Sequence, residues 1–541
     1  MTAKLADPPH LTLVPPEQDF GPLDYFDGSE PPRERESDDR PLLYLNAEYV
    51  QPTYDSVIGE MSAALGSHDR VFQRGGFLTL LRARQWGKGL DIVQMTAADV
   101  RSLVSTRARL MEWRYVAEKK KKLPCESFPP PRQHCIEIEK RVEHPGVKPI
   151  TGVLHAPSIR PDGSLLQTPG YDVATGYYYE PTEAFPAVAD QPTQADAMGA
   201  LQRLCVPWRT FPFADESSRY VPLAAALSLL ARPAIEGPVP AFCADATVSG
   251  SGKTLAFEVA NYLATGEWAG TTTYHPEQTE RQLAGVSLEG KASLLFDNIA
   301  MPFGDEAIEA ALTSMVRASR RLGVTGQIYM PWRTVVMATG NKLRLSTDMH
   351  RRAILCRYET QVEDPTRVVH PIRDLRAWTV ANRAQCVADM LTVLRYHFVA
   401  RPDHPEPGFG GYDCWAQVVR GALLSAGAPD ILQSRPEPEE DEHRLAAGEL
   451  LELLEPLGRF TTAELLRRMQ GVNLDEISDD SRIRDAVRQL QSKFEQERRL
   501  AVDAQGLGRI LKRLHHVIVN GRRLTHGGKS DGHRKWWVSA Q

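Results

Sequence analysis

At 541 residues the chain exceeds what one hydrophobic core organises, so several domains are expected. A content of 42% hydrophobic and 25% charged residues is that of a largely folded chain, and a formal net charge of −5 excludes one that is basic overall, so any nucleic-acid contact has to rest on local patches. Seven cysteines without a C-x-x-C pair argue against a disulfide framework or a zinc site and fit a reducing cytosol.

Residues 1–42 are rich in proline and charge and read as a disordered arm without the apolar stretch of a signal peptide. The longest apolar run, around Val221 to Ala231, is too short to span a bilayer. A soluble, cytoplasmic protein without membrane contact is expected. Residues 43–185 form a mixed α+β N-terminal domain, with a first strand pair at Val71–Arg74 and Phe77–Leu81 turning at Gly75-Gly76. Lys119-Lys120-Lys121-Lys122 is a solvated loop or a DNA contact. Nothing in this domain has the paired carboxylates of a polymerase or primase metal site.

From 190 to about 360 strand-like and helix-like segments alternate, and helical stretches follow at 371–400 and 413–427, so residues 190–430 are expected to form one α/β unit. Its centre is Ser249-Gly250-Ser251-Gly252-Lys253-Thr254. A short buried strand precedes it (Pro240 to Ala246), and a helical pattern from Leu255 to Leu263 follows and stops at Gly266. Strand, glycine loop and helix is the context that makes a phosphate cradle: backbone N–H groups from Ser249 to Leu255 converge on phosphate oxygens at a helix N-terminus. Lys253 would reach the β and γ phosphates of ATP, and the Thr254 hydroxyl would bind Mg²⁺. Thr247 stands where G-x-x-x-x-G-K-[ST] has its first glycine.

Ala292 to Asp297 is an apolar strand ending in aspartate; Asp297 is a Mg²⁺ ligand or a carboxylate capping a buried strand. Glu306 to Ser319 follows a helical pattern, and Arg320 to Met330 alternates around Gly323 and Gly326 as a β-hairpin. Thr334 to Ala338 is a third strand running into Thr339-Gly340-Asn341, where the Asn341 amide suits a γ-phosphate sensor or forms a simple turn. Arg351-Arg352 precedes an apolar strand, either as surface charge or as arginines reaching a neighbouring subunit's γ-phosphate.

Residues 431–444 form an acidic, proline-broken linker, and residues 445–541 a separate unit. A capped helix at Thr461–Met469, a second at Ile483–Phe494 and a third at Gly506–Leu514 lead to strands at Val517–Val519 and Trp536–Val538. The third helix carries Arg509, Lys512 and Arg513, and a wing carries Arg522, Arg523, Lys529, Arg534 and Lys535. Helices followed by a basic hairpin resemble a winged helix, which would bind duplex DNA by its last helix and its wing or serve as a protein-interaction module.

The order of motifs (phosphate loop, Leu-Phe-Asp-Asn, Ala-Thr-Gly-Asn, then Asp-Met-His-Arg-Arg) resembles the superfamily 3-like AAA+ helicases of phages, plasmids and integrated elements, relatives of the poxvirus primase-helicase NTPase. The stretch His155 to Asp172 is also similar to the one that precedes the ATPase in that family. The resemblance covers about residues 70–541. It implies an α/β fold with a P-loop AAA+ core, Lys253 and Thr254 as Walker A, Asp297 as Walker B, Asn341 as sensor 1, and Arg351 or Arg352 acting in trans within a hexameric ring of this chain. It also implies single-stranded DNA against the hairpin, with Arg320 and Arg321 as contacts (Lys342 and Arg344 less so) and a separate primase as a candidate partner. The hairpin equally suits contact with solvent or with the next subunit. Lys342 stands where a second asparagine is expected, and Asn298 where many AAA+ proteins carry the catalytic glutamate. Asp305, Glu306, Glu277 and Glu280 stay open as bases. The resulting expectation is an ATP-dependent DNA helicase or translocase of a mobile element. Its rivals are an initiator or loader that remodels origin DNA and a nucleotide switch with little hydrolysis.

Overall fold

The computed structural model describes residues 40–540 except 41, 46–58, 60, 63, 67, 127–128, 145, 321–326, 361–370, 402–407, 435–441, 471–478, 495–503, 516–517, 520 and 531–532. The proposed arm up to Asp39, Arg321 and half of the acidic linker (435–441) therefore lie outside the described residues.

The N-terminal part is built from small sheets. β1 (Leu42–Tyr44) lies parallel to β5 (Arg109–Val116), which pairs with β6 (Lys121–Glu126). The four lysines thus sit at the turn between β5 and β6, partly within β6. β2 (Val71–Arg74), β3 (Phe77–Ala83) and β4 (Leu90–Gln94) form an antiparallel meander that bends at Gly75-Gly76. The helix α1 (Ala97–Arg107) begins at Thr96, whose side chain and that of Asp99 cap each other's backbone N–H; α2 (Arg132–Lys140) packs against it. β7 (Gly152–Leu154), β10 (Gly170–Asp172) and β11 (Tyr177–Tyr179) form a third sheet. Between them β8 (Ser158–Ile159) and β9 (Leu165–Leu166) form a hairpin that packs with the central unit: Ile159 joins its core, and Ser158 Oγ donates to Leu230 O at 2.6 Å. By packing, the central unit therefore takes in residues upstream of 185.

The central unit is a parallel five-stranded sheet: β12 (Ala241–Ala246), β13 (Thr271–Thr272), β14 (Ser293–Ile299), β17 (Val335–Asn341) and β18 (Ala353–Tyr358), in the order β13-β14-β17-β12-β18. Helices cover both faces, so β12 is apolar along nearly its whole length, as a strand buried on two sides must be. One face holds α3 (Gln194–Leu204), α4 (Glu216–Leu230), α5 (Lys253–Thr265), α8 (Leu375–Ala400) and the helical run 413–425, around Phe242, Phe257 and Trp415. The other holds α6 (Pro276–Glu289) and the short α7 (Glu306–Ala311), around Phe296 and Phe303. The sequence pattern predicted a helix as far as Ser319. Instead α7 ends at Ala311, and β15 (Val316–Arg320) pairs antiparallel with β16 (Gln327–Pro331). The hairpin is longer than expected, and its face with Val316, Ala318 and Tyr329 is exposed.

Arg74 ties this hairpin to the N-terminal strands. Its guanidinium is buried and donates to main-chain carbonyls: Ser287 O at 3.0 and 2.9 Å in the last turn of α6, Ile150 O at 3.1 Å, Thr151 O, and Pro331 O at 3.1 Å at the root of the hairpin. Burial brings its pKa down to about 10.

The C-terminal unit has its own core of Leu450, Leu454, Phe460, Ile483, Leu511 and Trp536 among others. It comprises α9 (Glu442–Leu454), β19 (Phe460–Thr461), α10 (Thr462–Gln470), α11 (Asp479–Phe494), α12 (Ala504–Leu514), β20 (Ile518–Val519), β21 (Arg522–Ser530) and β22 (His533–Ala540). The predicted linker 431–444 is shorter than its stated bounds: Ile431 and Ser434 are buried with the central unit, and Glu442 already begins α9. Among the described residues no helix is long and apolar enough to cross a membrane.

Candidate functional site

The loop 247–252 leaves the C-terminal end of β12 and turns into α5. Gly252 takes φ 89°, and a Cβ there would stand 2.8 Å from the Phe211 ring, so only glycine meets both demands. α5 follows because Ala256, Phe257, Val259, Ala260 and Leu263 recur at helical spacing toward the core, and it ends at Gly266 at φ 77°. Its first turn presents Lys253, Thr254 and Leu255; Ser249 is exposed and Ser251 buried on the loop.

β17 lies between β12 and β14, and this order brings distant residues together. Lys253 Nζ donates to Asn341 Oδ1 at 2.7 Å and to Ser251 Oγ at 3.3 Å. Burial lowers the Lys253 pKa, opposed by Asp245 and Asp297. Asp297 Oδ1 accepts from Thr254 Oγ1 at 2.6 Å and from Thr339 Oγ1 at 2.6 Å, and the Asn298 N–H in turn donates to Thr339 Oγ1 at 3.2 Å. A hydroxyl and a carboxylate side by side, with a desolvated ammonium next to them, are the donor set of a Mg²⁺-phosphate site. The residues present fit Mg²⁺-ATP on the chemistry of that donor set.

Two positions that break the expected pattern share one backbone feature. Asn298 sits in a bulge of β14 at φ 55°, and Lys342 follows Asn341 at φ 52°. Asparagine tolerates the left-handed region better than glutamate, which accounts for Asn298 by conformation. The turn after Asn341 is held by Asp245, whose Oδ1 accepts from Leu343 N at 2.7 Å. Sequence reasoning missed Asp245 and Thr339. The available signals were a carboxylate and a hydroxyl at the ends of otherwise apolar strands.

Arg351 and Arg352 stand apart from this cluster, on the connection between β17 and β18. Arg351 is 66% exposed and pairs with Asp348; Arg352 is 18% exposed and pairs with Glu309 at 3.6 Å and Asp348 at 3.7 Å. Of the open bases, Asp305 caps α7 and accepts from Tyr274 OH, and Glu280 is held by Arg317 at 2.6 Å. Glu277 and Glu306 are exposed. One further carboxylate lies on α5: Glu258 pairs with Arg376, and burial together with Asp297 raises its pKa against that arginine.

Of the expected DNA contacts, Arg320 lies on β15 and Arg321 outside the described residues. α12 buries Leu507, Ile510, Leu511 and Leu514 and turns Arg509 and Lys512 outward, and Arg513 follows Lys512 in the same helix. Lys529 and Arg534 are opposite each other near the end of the β21–β22 hairpin, followed by exposed Lys535. Arg522 and Arg523 lie on the same hairpin but far from its turn. They start β21 at the opposite end, where Arg522 pairs with Glu452 at 3.1 Å and Glu455 at 2.8 Å and Arg523 donates to His515 O at 3.2 Å. These are contacts between elements that no local pattern displays.

No protein-family model matches the chain, and no curated protein does. Among solved structures, the A-form apo structure of the NrS-1 C-terminal region is 11% identical with a TM-score of 0.40, over 87% of this chain and 96% of that one. SCCmec type IV Cch, described as an active helicase, is 11% identical with a TM-score of 0.34, over 87% of this chain and 92% of that one. No residue role in this chain is taken from these likenesses.

Proposed function

We propose that the chain is a P-loop ATPase of the AAA+ type that works as a DNA helicase or translocase of a mobile element. The observation that carries this reading is the hydrogen-bonded set Lys253–Asn341 and Thr254–Asp297–Thr339, assembled from the first turn of α5 and from β17 and β14. In this reading the loop amides and Lys253 hold the β and γ phosphates, Thr254 and Asp297 hold Mg²⁺, and Asn341 orients the Lys253 ammonium and the attacking water. Bound Mg²⁺ supplies neutralisation of the charge that builds on the phosphate oxygens. Arg351, the more exposed of the pair, exchanges Asp348 for a neighbouring subunit's γ-phosphate, so a ring of this chain, a hexamer by resemblance, is part of the proposal.

The exposed hairpin face of β15–β16 meets single-stranded DNA. The C-terminal unit acts as a winged helix whose α12 and β21–β22 wing meet duplex DNA. ATP hydrolysis measured with and without single-stranded and duplex DNA, together with strand separation, tests the reading. Stimulation by single strands with unwinding supports it; stimulation by duplex alone would select an initiator or loader. The left-handed Asn298 favours one further reading, a nucleotide switch, because that position does not present a glutamate to water. ATP binding with no turnover would select the switch.

A further inference from the structure

We propose that the turn 84–89 between β3 and β4 is a second contact for single-stranded nucleic acid, in which Trp86 stacks on a base and Lys88 meets an adjacent phosphate. This rests on the reading of the chain as a nucleic-acid translocase, and it adds a site on the N-terminal strands.

The turn is fixed at both ends. Arg84 N donates to Gly89 O at 3.1 Å, and the Arg84 guanidinium donates to Asp91 at 3.2 Å and to Lys88 O at 3.2 Å while pairing with Glu267 of the central unit. Gly89, at φ 109°, lies so close to His155 that a Cβ would fall 2.6 Å from its ring. Between these anchors residues 85–88 face solvent. Trp86 is 88% exposed, whereas the other eight of the nine tryptophans are buried or half-buried. A large apolar ring held in water on a pinned turn is preorganised for a partner with a flat face.

Charge selects the partner. From Arg82 to Lys88 the chain reads Arg-Ala-Arg-Gln-Trp-Gly-Lys, three cations and no acid. Arg82 is committed to Asp99 and Arg84 to the anchor, while Lys88 is exposed and has no ion pair among the described residues. Gly87 adds no side chain between ring and ammonium, and a Cβ there would meet nothing within 4 Å. The turn forms one wall of a cleft of 670 Å³ whose other residues include Trp268 and Val380 and three carboxylates, Asp91, Glu183 and Glu267. These are paired with Lys291, Arg383 and Arg84 respectively, which leaves Lys88 as the lining cation without an ion pair among the described residues. An aromatic face beside a cation along an open cleft is the chemistry that holds unpaired bases and their phosphates without regard to sequence; a duplex hides those faces. The cleft lies by the C-terminal end of α5 and the N-terminal end of β14, whereas the phosphate loop lies at the N-terminal end of α5 and the C-terminal end of β12, so it is separate from the nucleotide site.

The test uses the full chain with a non-hydrolysable ATP analogue and an oligothymidylate in which some bases are iodouracil. Irradiation is expected to crosslink Trp86. Trp86→Ala is expected to weaken binding by about fivefold to a hundredfold, with Trp86→Phe restoring most of it. Lys88→Gln is expected to lower the salt slope of binding by about one. Melting temperature and DNA-free ATP turnover should be unchanged in all three, which sets folding failure aside. Wild-type affinity in Trp86→Ala, or a change in self-association with DNA affinity intact, would overturn the proposal; the latter assigns Trp86 to a second copy of the chain. If the wild-type chain binds no single strand, the translocase reading falls with it. If only the Trp86 variants bind normally, this site alone falls.

Discussion

Lys253 and Asn341, 88 positions apart in the chain, are joined by a 2.7 Å hydrogen bond across the ends of neighbouring strands. The bond is possible because β17 is the neighbour of β12, so the first residue of α5 and the last residue of β17 face one another. Lys253→Ala is expected to abolish ATP turnover and to weaken ATP binding. Asn341→Ala is expected to cut kcat about a hundredfold or more while leaving ATP binding within a small factor, since it removes a fixed donor at the reacting group. Steady-state turnover and equilibrium binding of a fluorescent ATP analogue separate the two.

Thr339 supplies a second hydroxyl to Asp297. Thr339→Val removes the hydrogen bond to that carboxylate and the one accepted from Asn298 N–H at nearly constant volume, with a stability loss of about 1.5–3 kcal/mol from the first alone. It should also raise the Mg²⁺ concentration needed for half-maximal turnover, because the freed carboxylate is less well aimed. A Mg²⁺ titration of ATPase activity, with chemical denaturation alongside, checks both effects.

Asn298→Glu places the residue usual in AAA+ proteins where this chain has asparagine. At φ 55° the substitution is expected to cost about 1–3 kcal/mol of stability without raising kcat. Asn298→Gly should be tolerated. A gain of turnover in the glutamate variant would show that the bulge relaxes and that the missing base limits the rate.

The two arginines are expected to separate by exposure. Arg351→Ala should lower turnover by about a thousandfold or more with an unchanged melting temperature, as removal of a charge acting on the γ-phosphate does. Arg352→Ala should chiefly lower the melting temperature, because Glu309 loses its cation while Asp348 keeps Arg351. Mixing Arg351→Ala with Lys253→Ala tests action in trans: recovered turnover requires one subunit's Lys253 to work with the next subunit's Arg351.

His155 makes the junction of N-terminal and central units sensitive to acid. Its Nε2 accepts from Leu90 N at 2.9 Å, and burial first, then Arg84 and Arg383, hold its pKa down to about 3. In the unfolded chain it titrates near 6.5, so between those values the unfolded state binds the proton and the folded state does not. The contribution is therefore complete above about 6.5 and declines as pH falls toward 3. Melting temperature against pH should fall less steeply over this range in His155→Gln, which keeps an acceptor for Leu90.

The loop at Lys253 was legible because its context is local: a buried strand, small residues, then apolar positions at helical spacing up to Gly266. The strands of Asp297 and Asn341 were legible for the same reason. What stayed hidden is set by distance or by backbone sign. Leu312 to Met315 contains neither glycine nor proline, so the helical pattern ran on past the real end of α7 at Ala311. That Arg522 is ion-paired, with Glu452 and Glu455 beside it, could not be read from its place in a basic run. α9 was concealed because its start at Glu442 continues an acidic run. Asn298 read as a departure from pattern, yet a positive φ within a strand leaves no trace in periodicity.

The Arg74 guanidinium has a mechanical consequence. Main-chain carbonyls of α6, of the 150–151 segment and of Pro331 all converge on one side chain, so the root of the β15–β16 hairpin has no slack against the N-terminal sheet. Whatever load the hairpin bears is passed to that sheet as to the handle of a tool. The root of the hairpin and the N-terminal strands thus share one buried side chain, and displacing either one strains the hydrogen bonds of the other.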